Sequence, residues 1–149
     1  MTTTELQTYL HDHIPLSRAM EVSVTSIADD AVVLRAPLGP NINHRETVFG
    51  GSASAVAILA CWSLLHLRLT AAGIESRVVI QRNTMDYVAP ISGTFTARSY
   101  FEADANWDGF LRMLARKGRA RISVGAVLEF EGSVAGRLTG EFVALGAGG

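Results

Sequence analysis

One cysteine, Cys61, occurs in the 149 residues, so the chain cannot close a disulfide within itself. A lone thiol in an apolar stretch fits a core position in a reducing compartment, because free cysteine packs as a small hydrophobe. An excess of either charge is also missing: 13 Lys and Arg stand against 14 Asp and Glu, for a formal net charge of −1. Without a basic face, nucleic acid is excluded as the expected partner. The opening Met1-Thr-Thr-Thr-Glu-Leu-Gln7 has no basic-then-apolar leader pattern, so a cytoplasmic protein is expected. No set of His, Asp, Glu and Cys has ligand spacing, so no metal and no cofactor are expected. Repeats, low-complexity tracts and linkers are lacking as well, which leaves a single domain over residues 1–149, long enough to bury a core.

What is present is a long apolar run with no charged residue from Thr47 to Leu65. By length it barely reaches the roughly 20 residues needed to span a bilayer, and it contains Ser52, Ser54 and Ser63. A helix apolar on every side is alternatively one wrapped by its own protein, and the rest of the chain supplies the wrapping. Residues 4–13 predict a short amphipathic helix that Pro15 stops, placed to cover an edge. From Met20, Val22 and Val24 alternate with polar residues as a strand does, and a turn at Asp29-Asp30 joins this to a second strand through Val32, Leu34 and Ala36. Gly73 is placed as the C-cap of the long helix. Strands are then expected at 77–88, 94–103 and 120–130, with a last one ending near Leu145. Residues 107–117 read as a short helix or an irregular connection, and the tail from Gly146 to Gly149 as frayed. Strands with short connections and one apolar helix imply an α+β fold, an antiparallel sheet curled around that helix. Such a sheet keeps an edge that a second copy can cover.

The stretch from Asn41 to Ser54 feeds a polar loop through Gly50-Gly51 into the apolar helix. The first turn of a helix has backbone N–H groups without partners and the positive end of the peptide dipole. Glycine lets a ligand approach them, which suits a phosphate or the oxyanion of an acyl transfer; the same pair also serves a tight turn. Glu46 is the loop's only acid, fit to activate water or attack a carbonyl, or else to pair with Arg45 in solvent. Asn43 can orient water or the carbonyl, or simply make turn chemistry beside Pro40. His44 is a candidate general base, the role imidazole most often takes. Asp86 is a second acid, and Ser52 and Ser54 can line a carbonyl site. The densest positive run, Arg112, Arg116, Lys117, Arg119 and Arg121, is either a solvated face or a phosphate site. Leu59, Trp62 and Leu65 can line an acyl tunnel or fill a core.

Asn43-His-Arg-Glu46-Thr-Val-Phe49-Gly50-Gly51, opening a long apolar helix, resembles the active-site loop of hotdog-fold acyl-CoA thioesterases. Met85 to Gly93 is similar to the strand-turn-strand that follows the helix in that fold, and Gly118 through Phe142 to its closing hairpin. More narrowly, the chain resembles the thioesterase domain at the C-terminus of YiiD-type proteins, joined there to a GNAT acetyltransferase segment that this sequence does not include. The resemblance implies a sheet wrapped around the central helix, a homodimer or dimer of dimers with a continuous sheet, and acyl-CoA or acyl-carrier thioester sites at the subunit interface. It implies catalytic roles for Asn43, His44, Glu46 and Gly51, and substrate contacts from Phe49, Gly50 and Ser52, with Arg116, Lys117 and Arg119 on the coenzyme A phosphates. One departure bears on mechanism. Many such enzymes carry an acid about two turns after the double glycine, where this chain has Ala57-Ile-Leu-Ala60. A non-catalytic acyl-CoA binding module and a hotdog hydratase or dehydratase are the alternatives.

Overall fold

The computed structural model describes residues 1–146; of the tail expected to fray from Gly146, that glycine instead ends the last strand, its N–H donating to the Gly118 carbonyl at 2.8 Å, and residues 147–149 lie outside the described ones. In chain order the elements are α1 (Thr3–His13), α2 (Pro15–Ala19), β1 (Ser23–Ala28), β2 (Ala31–Ala36), a 3-10 turn at Gly39–Asn41, α3 (Gly50–Ala71), β3 (Ser76–Tyr87), β4 (Phe95–Phe101), α4 (Trp107–Lys117), β5 (Arg119–Phe130) and β6 (Ser133–Gly146). A capping box starts α1, with the Glu5 N–H donating to Thr2 Oγ1 and the Thr2 N–H to Glu5 Oε1. Pro15 ends that helix and also opens α2, a place where its missing N–H costs nothing. The strand expected from Met20 therefore starts later, at Ser23. Met20 and Val22 are buried all the same, in a turn where Glu21 takes φ 55°. The undecided segment 107–117 is helical, because Asn106 caps it through the Gly109 N–H and Gly118, at φ 73°, closes it.

The six strands pair antiparallel in the order β1-β2-β4-β5-β6-β3. Helix α3 lies across them, touching β2, β3, β4, β5 and β6. It is the expected α+β architecture of a sheet around one long helix. By length and composition α3 would pass for a membrane span, yet 56% of its most apolar window is buried by the chain's own sheet and helices. Small residues let the sheet approach: Ala53, Val56, Ala57, Ala60 and Cys61 are all buried. Burial pushes the Cys61 thiol far up, with the Glu102 charge adding to it, so this cysteine is a packing group and not a nucleophile.

The two edges of the sheet differ. On the β1 side, α1 packs against the strand and Gln7 Oε1 accepts from the Val24 N–H at 3.0 Å. β3, twelve residues long, pairs only with β6 and shows solvent a half-exposed Val79. A long strand edge without a partner strand is a template for pairing with another strand.

Four rings pin α1 to α3. Tyr9 stacks on His13 at 4.0 Å and on His66 at 4.6 Å, and His66 stacks on Trp62 at 4.8 Å. Burial, followed by the charge of His13, holds His66 below the usual imidazole range. Its unfolded form therefore takes up a proton first, so this group leaves stability unchanged above about pH 6.5 and lowers it as pH falls through that value. Urea midpoints are expected to drop between about pH 7.5 and pH 5.5, and to drop less in His66→Phe, which keeps a stacking ring. An equal drop in both proteins would remove His66 as the cause.

Candidate active site at the start of the central helix

Asn41 anchors the loop that precedes α3. Its side chain is 1% exposed, and Nδ2 donates to the carbonyls of Met20 at 3.0 Å and Pro37 at 2.8 Å. Its own carbonyl accepts from the Phe49 N–H at 2.8 Å, and Ile42 bridges Val48. The loop is thus pinched shut at 41–42 and 48–49. Sequence reasoning passed Asn41 over, since an Asn after Gly39-Pro40 reads as ordinary turn chemistry.

Inside the pinch, Asn43 organises the loop. Oδ1 accepts from the N–H groups of Arg45 (2.7 Å) and Thr47 (3.2 Å), and Nδ2 donates to Thr47 Oγ1 at 2.9 Å. The contacts of Asn43 thus lie within its own loop and fix its shape. His44, Arg45 and Glu46 form the exposed tip. Glu46 takes φ 65°, a left-handed conformation that disfavours side chains, and among the described residues its carboxylate has no ion-pair partner. Glu21 and Glu131 share that conformation in plain turns, so it does not by itself mark a reactive group.

The helix start is uncapped. Phe49 occupies the N-cap position and no side chain bonds the first turn. The first backbone bond is Ala53 N–H to Phe49 C=O at 3.0 Å, which leaves the N–H groups of Gly50, Gly51 and Ser52 without a partner among the described residues. Phe49 is 57% exposed, and its ring lies where a side chain at 51 would go: a Cβ there would sit 3.0 Å from Phe49 Cδ2. Tyr87, at the end of β3, donates its hydroxyl to the Gly50 carbonyl at 3.1 Å. A cavity of about 300 Å³ opens beside Gly50, Ala53, Tyr87 and Ile91. Ser52 and Ser54 are half-buried in the first turns of α3.

Other candidates are held elsewhere. Successive strand residues face opposite sides of a sheet, so Asp86, next to Tyr87, faces away from the helix start and sits across from Arg137. The positive run divides at Gly118: Arg112, Arg116 and Lys117 are exposed on α4, whereas Arg119 and Arg121 are exposed on β5. Arg119 shares a row with Leu145 and Arg77 at the start of β3, and Tyr87 marks its end. At about 3.3 Å per residue these ends are roughly 30 Å apart, so one chain does not bring the basic residues to its own helix start. Leu59 and Leu65 are buried, and the Trp62 indole N–H donates to the Val78 carbonyl at 2.9 Å. Among the described residues, no three His, Cys, Asp or Glu side chains gather to hold a metal.

Residues 3–146 match the model of a protein family described as "Putative thioesterase (yiiD_Cterm)". A protein of unknown function from Chlorobaculum tepidum is 30% identical, with a TM-score of 0.89 over 97% of this chain and 94% of that one. A Shewanella oneidensis protein named as a putative thioesterase is 25% identical, with a TM-score of 0.86 over 96% of each chain. A Pseudomonas aeruginosa protein at 19% identity superposes with a TM-score of 0.80 over 96% of this chain and 95% of that one, a likeness of fold alone. The shared fold is the hotdog.

Proposed function

Since the chain belongs to the YiiD C-terminal thioesterase family, we propose that it hydrolyses an acyl thioester of coenzyme A, or of an acyl carrier, in the cytoplasm. The observation that carries this reading is the uncapped start of α3, where three successive N–H groups lack a partner among the described residues and stand beside a cavity. Donors fixed in that way stabilise the oxyanion of a tetrahedral intermediate without having to reorganise. Glu46 acts as base or nucleophile at the tip of a loop whose shape Asn43 fixes, with His44 beside it.

The working unit in this proposal is a homodimer, or a dimer of such dimers, paired through the open edge of β3. Antiparallel pairing of two β3 edges sets the end of one strand beside the start of the other. The helix start of one copy then comes near the row of Arg77 and Arg119 in its partner, with Arg116 and Lys117 just before it in the chain. Guanidinium groups there suit the coenzyme A phosphates. The separation of the two sets within one chain supports this arrangement.

The test is thiol release from acyl-CoAs of short to long chain, with the oligomeric state measured by sedimentation. Turnover by a dimer is expected. A folded protein that binds acyl-CoA and releases no thiol from any of them would replace hydrolysis by binding alone, which the acid-free α3 favours. Hydration of an enoyl-CoA without thiol release would instead assign His44 and Glu46 to hydratase chemistry.

A further inference from the structure

The unpaired edge of β3 carries its own register. A bulge between Ile80 and Arg82 reverses which side chains face α3. Before it Val78 and Ile80 pack against the core, and after it Met85 packs there and the Tyr87 hydroxyl reaches Gly50 of α3. Residues directly across an antiparallel pair share a face, so an edge that meets a second copy of itself must match these sets. Pairing end to end does so: Ser76 lies across from the partner's Tyr87, Arg77 from the partner's Asp86, and Val79 from the partner's Thr84. Arg77 and Asp86 are of opposite charge, whereas a slip of one residue would set core-facing side chains against outward ones.

That register brings a cavity to the partner's helix start. The cavity, of about 780 Å³, lies at the beginning of β3 and is lined by Tyr9 of α1, Trp62 and His66 of α3, and Ser76 and Arg77. With strands about 4.8 Å apart, the partner's Tyr87 stands beside Ser76 and carries the partner's Gly50 to the cavity with it. His66 does not reach its own helix start, since the run from Gly51 to His66 makes about 22 Å of helix. Its ring is half-buried and nearly parallel to those of Tyr9 and Trp62, at 4.6 and 4.8 Å. Neither of its nitrogens has a hydrogen bond among the described residues, although His11 and His13 both bond main-chain carbonyls. The titratable and charged groups facing it are Tyr9 and His13 from α1, Glu75 just before β3 and Arg77 within it; the polar group that α3 adds is the uncharged Thr70. Burial, followed by the charge of His13, keeps the ring neutral at neutral pH, and a neutral imidazole has one nitrogen that donates and one that accepts.

We infer that the partner's His66 relays a proton across each site, so that one chain supplies the helix start and Glu46 while the other supplies the relay. The inference rests on the proposed hydrolysis by a dimer paired through β3, and it adds a catalytic residue to that site. Glu46 acts as the base. The oxygen of a water bonds to the thioester carbonyl carbon, and the water gives a proton to the Glu46 carboxylate. The carbon–sulfur bond breaks, and its electron pair leaves on sulfur. One ring nitrogen of the partner's His66 gives its proton to that sulfur while the other takes the proton from Glu46, so carboxylate and imidazole both return to their starting forms. An imidazole already protonated has no nitrogen free to accept, and the relay stops.

The experiment reads thiol release from the acyl-CoA that wild type turns over fastest, for Glu46→Ala, for His66→Phe, and for the two co-expressed so that mixed dimers form. His66→Phe keeps a stacking ring, and its kcat is expected to fall about 100-fold, the low end for a proton-transfer group. A mixed dimer holds one site with both residues intact and one with neither. The co-expressed pair is therefore expected to recover about a quarter of the wild-type rate, because half of randomly paired dimers are mixed. On the acid side, wild-type kcat is expected to fall through a value below the usual imidazole range, and His66→Phe to lose that limb. Wild-type turnover with no recovery in the mixed dimer, or with His66→Phe as active as wild type, would overturn the relay and leave hydrolysis standing. The register has its own readout. With Val79→Cys and Thr84→Cys in one chain, oxidation is expected to join two copies, since opposite residues are about 4.5–5.5 Å apart at Cα. Absence of that cross-link in a folded dimer would also overturn the relay. No turnover by wild type would sink hydrolysis and the relay together, and the cross-link would still report how the copies pair.

Discussion

Replacing Glu46 with alanine is expected to lower thiol release from the best acyl-CoA by at least about 100-fold, the low end for a positioned base, with binding of the substrate retained. Glu46 is the only acid in the loop, and α3 offers none in its place. Its backbone gives a second way to ask the question. A side chain at φ 65° costs about 1 kcal/mol that glycine would not incur, so Glu46→Gly is expected to raise stability while removing activity. Glu131, at φ 50° in the hairpin between β5 and β6, is the control. Glu131→Gly is expected to stabilise by a similar amount and leave turnover untouched. Urea midpoints and thiol release on the three variants read the two effects separately. If Glu46→Ala kept turnover within about tenfold of wild type, the base would not be Glu46, and His44 would be the residue to change next.

The sequence made the long helix legible because its composition leaves little else: a run of small and aliphatic residues without charge as far as Leu65 continues into a helix that stops before Gly73, which sits at φ 72° just past the last turn. The hairpins were legible for a similar local reason, their turns being marked by Asp29-Asp30 and by Glu131-Gly132. Strand order was not. Val78-Val79-Ile80 reads like a buried strand, yet β3 is an edge, because its place is set by the length of its pairing with β6 and not by its own residues. Met20 shows the same limit from the other side: the alternating burial of Met20, Val22 and Val24 is present, but only Val24 belongs to a strand. At the site, the sequence brought the glycines and the loop acid to one stretch. It did not reveal that the bonds of Asn43 stay within its own loop, that Asp86 faces the other side of the sheet, or that Gly118 turns a contiguous basic run onto two elements. Each of these depends on direction, which one-dimensional spacing does not carry.

Gly51→Val tests the helix start itself. A Cβ at 51 would fall against the Phe49 ring, whose far end is exposed and free to move, so the chain is expected to fold. Valine is also a slightly better helix former than glycine, by roughly half a kcal/mol, which offsets part of the cost of displacing Phe49. What changes is access. The branched side chain and the displaced ring together cover the N–H groups of the first turn, which no cap residue occupies in the wild type. Losing one oxyanion donor costs roughly 100- to 1,000-fold in turnover in enzymes that use one, and a loss of that size is expected here. The charge on the carbonyl oxygen is greatest in the tetrahedral state, so the loss should fall mainly on kcat and leave KM near its wild-type value. Gly51→Ala, with a smaller side chain, should lose less and in the same parameter. A rise in KM with kcat intact would mean that the helix start holds the ground-state substrate, as a phosphate or thioester anchor, and that the oxyanion is stabilised elsewhere.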